Sequence, residues 1–171
     1  MNPSGSTPVA PVLTDPILAE IGTAVALGRS GHGADARAAL EALWSRIGPE
    51  ADPFHRCTLA HYLADLQPDP ETELDWDERA LAAVDELTTE RLAQAHPGFS
   101  VPGFLPSLHL NLADVHRRLS HPDQARAHLA LAMEFSTVLT DDAYGKLVRA
   151  GLEQVSEALA AGSTARLPGA P

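Results

Sequence analysis

FLPSLHLNLADVHRRLSHPDQARAHLALAMEFSTV, residues Phe104 to Val138, reads as two amphipathic helices joined by a short turn at Ser120-His121-Pro122. Its second half, His121-Pro-Asp-Gln-Ala-Arg-Ala-His-Leu129, echoes His32-Gly-Ala-Asp-Ala-Arg-Ala-Ala-Leu40 at the same internal spacing. A helical hairpin that recurs along a chain marks an array whose units bury their faces against their neighbours.

Working outward, residues Met1 to Thr14 (MNPSGSTPVAPVLT) are small, Pro-rich and polar, and are expected to form a disordered tail. The helical domain is expected over residues 15–161, with a second disordered tail over 162–171. Asp15-Pro16 supplies a cap followed by proline at the first helical position. The helix to Arg29 spaces Ile17, Ile21, Ala24 and Leu27 along one face, and Gly28, Gly31 and Gly33 break it. A second helix is predicted over Ala34–Ile47, stopped by Gly48-Pro49. Asp52-Pro53 opens a third through Leu66, and a long fourth is predicted from Glu71 to Ala95, with Leu74, Ala80, Leu81, Val84, Leu87 and Leu92 as its buried stripe. Pro97-Gly98 ends it, and a loop runs to Gly103. A last helix, Asp141–Ala160 with Thr140 as its cap, carries Tyr144, Leu147, Val148, Gly151, Leu152, Val155 and Leu159 on one face. The fold class is all-α.

Three hairpins can be laid over one another. Ala36, Ala80 and Ala125 recur at intervals of about 44 residues. Each precedes a matching core set: Ala39, Leu40 and Leu43; Ala83, Val84 and Leu87; His128, Leu129 and Ala132. Leu63-Ala64-Asp65 coincides with Leu112-Ala113-Asp114, and Ala24, Leu27 and Gly31 take the corresponding core and turn places in the first hairpin. On these residues the stretch from about 15 to 160 resembles the tetratricopeptide repeat family, with an insertion around Gln67 to Asp75. The interval exceeds that family's usual 34 or so residues and is similar to the longer repeats of kinesin light chains.

The resemblance implies a right-handed α-α superhelix of about three hairpins plus a C-terminal capping helix. It implies that the first helices line a concave groove binding a peptide or partner protein. The groove-facing positions it carries over are Arg29, His61, Asp65, Asp114 and Arg118, with Asn111 and Arg117 at the edges. Some family members clamp a terminal carboxylate with Lys and Asn on the first repeat; Ile21 and Val25 stand there in this chain, so that mode is not expected. Charge reversal at Asp65 and Asp114 is expected to weaken partner capture without unfolding the chain.

A second reading centres on Cys57, His61 and Asp65, which fall at i, i+4 and i+8 on one helix. A thiol beside an imidazole oriented by a carboxylate is the logic of an activated nucleophile, and would make the protein a small-molecule-binding protein or an enzyme. The same Cys57 and His61, with His55, or with His109 and His116 from another helix, are metal-ligand candidates. His55 lies about 160° around the helix from Cys57, so one helix cannot close the site. Buried Cys as a small hydrophobe is the plainer reading. Trp44 and Trp76, with Tyr62 and Phe99, read as inter-helix packing, and His32, His96 and His121 as turn residues. No phosphate-cradling glycine loop follows a strand, so no cofactor is implied.

The formal charge of −11, with Lys146 the only lysine, disfavours nucleic acid and anionic membranes as partners. The single cysteine precludes an internal disulfide, and no signal segment or apolar span is evident, so a cytoplasmic location is the expectation. A homodimer through the ends of the stack is a third arrangement to consider.

Overall fold

The computed structural model describes residues 15–95 and 101–167. The tail expected over 1–14, the Pro97-Gly98 stop, His96 and Phe99 lie outside these residues, as do the last four residues and the Leu92 side chain. Eight α-helices make up the described chain: α1 (Pro16–Arg29), α2 (Gly33–Ile47), α3 (Pro53–Asp65), α4 (Pro70–Val84), α5 (Thr89–Ala95), α6 (Val101–Arg118), α7 (Pro122–Phe135) and α8 (Ala143–Ala160). No strand occurs among the described residues.

Helices α1 and α2, α3 and α4, and α6 and α7 pack as antiparallel pairs, and α8 closes against α6 and α7. Three of the starts share one device. Asp15 accepts from the Ile17 and Leu18 N–H groups, Asp52 from Phe54 and Asp69 from Thr72, each followed by proline at the first helical position. Proline there costs nothing, because the first-turn N–H groups have no intrahelical acceptor.

The first and third hairpins turn identically. Gly31 (φ 92°) and Ser120 (φ 62°) both adopt the left-handed conformation. His32 N–H donates to the Leu27 carbonyl and His121 N–H to that of His116, closing the same six-residue loop at the ends of α1 and α6. The echo in sequence is therefore an echo in backbone. Ala36, Ala80 and Ala125 are each 0% exposed, which lets the paired helices approach closely. At the seam between α8 and α6, a Cβ on Gly151 would lie 2.6 Å from Leu110 Cδ2.

Four apolar clusters form the interior. One joins α1, α2 and α3 through Ile21, Leu40, Leu43, Leu59 and Leu63. A second joins α3, α4 and α6 through Cys57, Ala60, Ala80, Val84 and Leu108. The third joins α6, α7 and α8 through Ala113, Leu129, Val148, Leu152 and Val155. Trp44 and Trp76 pack against both of the first two, edge to face at 5.0 Å, and the Arg79 guanidinium lies 4.5 Å from the Trp76 ring. The fourth is small: Phe54 and Leu87, with Phe104 edge-on to Phe54 at 6.0 Å.

Three boundaries differ from the sequence reading. The long fourth helix is two: α4 ends at Val84, and α5 restarts at Thr89 after Thr88 Oγ1 accepts from the Arg91 N–H. Leu87, between them, turns into the core with Phe54. Helix α6 begins at Val101 rather than after Gly103, since Pro102 falls where no N–H is needed. Asp142, not Thr140, caps α8 by accepting from Gly145 N–H, while the Thr140 hydroxyl donates to Asp142. Arg91 ties the start of the chain together, donating to Asp52 at 2.5 Å and to Asp15 at 3.4 Å, with His55 2.7 Å from the same Asp15 oxygen.

Candidate functional site

Helices α1, α3, α6 and α8 each turn one face toward a cavity of about 610 Å³. Its apolar wall is built by Val25, Tyr62, Leu66, Leu110, Leu147, Val148 and Val155, and its polar side by residues of α1, α3, α4 and α6. Arg29, His61, Asp65, Asn111, Asp114 and Arg118 all line it. Arg117 does not; it is 2% exposed and points away to the chain after α8.

Asn111 is the centre of the polar side. Its amide nitrogen lies 3.5 Å from Asp65 Oδ1, 3.5 Å from Asp77 Oδ1 and 3.4 Å from His61 Nδ1. His61 Nε2 stands 4.0 Å from Asp65 Oδ2. Beside this group, Arg118 donates to Glu73 and, at 2.9 Å, to Asp114 Oδ2. Arg117 donates to Asp114 Oδ1 at 2.6 Å. Asp114 is therefore the shared counter-charge of two buried guanidinium groups, with side chains 1% and 8% exposed. Reversing its charge would leave Arg117 without a counter-charge and set a like charge beside Arg118, which keeps Glu73, at a cost of about 3–5 kcal/mol. The expectation that this residue can be reversed without unfolding does not hold for Asp114.

Glu73 and Asp77 are the members that the sequence reading missed. They continue the buried line of Ala80 and Val84 back along α4, at helical spacing, so the periodicity runs through two acids. Glu73 Oε2 and Asp77 Oδ2 are buried without a hydrogen-bond donor among the described residues. Burial pushes the Asp77 carboxyl well above its ordinary range, and the nearby Asp65 and Glu73 push it further. Burial also raises Asp65 and Glu73, against the pull of His61 on the first and Arg118 on the second. The polar side thus holds acceptors that a cationic group would satisfy.

The stretch after α8 enters the same space. Gly162 (φ 65°) and the bond from Ser163 N–H to the Ala158 carbonyl turn the chain back, and Arg166 and Leu167 line the cavity. A disordered tail was expected over 162–171; Leu167 packs against the cluster of α6, α7 and α8.

Cys57, His61 and Asp65 share α3 but not a site. Cys57 is 1% exposed inside the second cluster, and burial pushes its thiol up to about 12, the opposite of an activated nucleophile. The metal-ligand candidates are dispersed as well. His55 bonds Asp15; His109 lies 3.0 Å from His128, nitrogen to nitrogen; His116 lies 3.4 Å from His121. Among the described residues, no group of three or more His, Cys, Asp or Glu side chains is placed to hold a metal ion. No described helix is long and apolar enough to cross a membrane.

Comparison with family models, with curated proteins and with solved structures returns no match.

Proposed function

We propose that the protein is a binding module of the tetratricopeptide type, a right-handed superhelix of three hairpins and a capping helix, whose cavity takes an extended segment of a partner protein. One observation carries this reading: the first helix of each pair, together with α8, presents its residues to one cavity. The matched turns at Gly31 and Ser120 and the buried alanines at 36, 80 and 125 support a repeat relation among the pairs. A volume of about 610 Å³ suits a few side chains of a peptide, and the mixture of an apolar wall with convergent polar groups is what such pockets use for affinity and orientation.

The wall offers a probe that leaves the interior untouched. Leu147 is 60% exposed at the cavity, and Arg29 is exposed without an ion pair among the described contacts. A displayed library of random peptides selected on the protein should yield binders that lose about ten-fold or more in affinity on Leu147→Asp and on Arg29→Glu. Circular dichroism checks that both variants are folded. Binders indifferent to both substitutions would place recognition elsewhere and sink the proposal.

A further inference from the structure

We infer that the ligand this cavity selects is a non-helical peptide with an arginine followed by an aliphatic residue, and that Thr164-Ala165-Arg166-Leu167 of the chain itself is a resident copy of it. The inference deepens the peptide-binding reading above and rests on it.

Arg117 holds the segment after α8 by its main chain. A guanidinium only 2% exposed needs an acceptor for each of its donors, and Asp114 satisfies one edge. Two of its three remaining donors go to main chain: the Ser163 carbonyl at 2.6 Å and the Ala165 carbonyl at 2.9 Å. Ser163 to Leu167 lies outside any helix, with a bend at Ala165, whose N–H donates to Ser163 Oγ at 3.3 Å. A buried arginine is thus built to hold a non-helical peptide by its backbone. That is a recognition contact rather than a helix cap.

The next two residues supply side chains. Arg166, exposed at the cavity that Asp65 and Glu73 also line, carries a charge that favours the ionised form of both. Glu73 Oε2, buried and lacking a donor among the described residues, is an acceptor for such a cation. Leu167 meets the apolar cluster formed by Val148, Leu152 and Val155. Backbone capture, then a cation, then an aliphatic group, in that order along a non-helical chain, defines the ligand.

The tether sets the regulation. A segment attached only a few residues away acts at an effective concentration of about millimolar, so a weak fit keeps the mouth occupied. A partner segment of the same chemistry has to displace it.

The test uses fluorescein-labelled GSTARLPGAP, residues 162–171, and a control with its Arg and Leu replaced by Ala. It is titrated against three proteins: the intact chain, a chain ending at Gly162, and the full chain carrying Arg166→Glu and Leu167→Asp. The last retains the carbonyls that Arg117 holds, and so guards against a truncation that fails to fold. Fluorescence anisotropy should show the peptide binding both altered proteins about ten-fold or more tighter than the intact chain. The control peptide should lose about ten-fold or more on either. Equal binding of peptide and control to a folded variant, or no binding at all, overturns the assignment. Library-selected peptides that still depend on Leu147 in that case leave the cavity reading standing and remove only the resident copy. Tail-peptide binding that ignores Leu147→Asp overturns the assignment too, because the segment would then sit outside the cavity.

Discussion

Asp77 sits on the buried face of α4, its Oδ2 unbonded among the described residues, with two further acids, Asp65 and Glu73, in electrostatic range. Its carboxyl titrates well above 3.8 in the folded protein, so the folded state holds the proton longer than the unfolded chain does. The stability this provides is complete below the unfolded value and is lost as pH rises through the folded one, at about 1.4 kcal/mol per pH unit between them. Asp77→Asn keeps an acceptor for Asn111 and removes the charge. It is expected to be as stable as the parent at pH 4 and more stable at pH 7.5, by about 1–3 kcal/mol. Urea titrations at the two pH values decide it: parallel losses in both proteins would mean that Asp77 is ionised throughout. Sequence alone does not suggest this residue. An acid at a core register reads as the solvent side of a helix, and only the burial of its neighbours shows otherwise. Cys57 is the converse case. Its place between Phe54 and Ala60 on a helix already favoured a packed thiol, and its burial among Ala80, Ala83 and Val84 removes the chemistry that its spacing from His61 offered.

At the scale of elements, the starts at Asp15-Pro16 and Asp52-Pro53 and the turn at Gly31 were legible because their causes are local. Asp followed by Pro caps a helix wherever it occurs, and Gly31 announces a left-handed turn. The break after Val84 was not legible. Val84 and Leu87 keep helical spacing across it, so periodicity runs on where the backbone does not. The seam between α6 and α7 carries a consequence for pH. His109 Nδ1 meets His128 Nδ1 at 3.0 Å, so one nitrogen must donate and the other accept, while His116 stacks on His128 at 5.4 Å. Burial lowers the pKa of all three, and His121 and His128 lower that of His116 further, while Glu78 opposes it. These groups contribute stability that is present above 6.5, their ordinary value, and lost as pH falls through the lowered ones. The urea midpoint should therefore drop between pH 7.5 and 5.5, and His116→Gln with His128→Gln should flatten that drop. An unchanged slope in the double variant would assign the acid sensitivity to other groups. Because the Asp77 limb runs in the opposite direction over part of the range, the two are separated by the variants and not by the parent curve.

For the molecule as a whole, the three large clusters are linked rather than stacked in isolation. Trp44 and Trp76 belong to the edges of the first two, and α6 contributes Leu108 to the second and Ala113 to the third. Unfolding should accordingly be a single transition, with tryptophan fluorescence and helical circular dichroism giving the same midpoint. A fluorescence midpoint below the dichroism one would show the first hairpin melting alone. The pairing of the helices was visible in sequence because each pair carries small and apolar residues at matching positions. The chain after α8 was not: Ser163 to Leu167 has no period, and what holds it is Arg117, a residue on the far side of two helices in sequence. That arginine has a bearing on heredity. It grips Ser163 and Ala165 by carbonyl groups, which every amino acid possesses. Mutations that alter the side chain at Ala165 leave the carbonyls in place and can accumulate by neutral drift, whereas Ser163 also bonds the Ala165 N–H through its hydroxyl. Arg166 and Leu167 have no such licence, since the cavity meets their side chains. Descendants of this chain should therefore keep the glycine at 162, vary more at 165, and hold a cation and an aliphatic residue immediately after it.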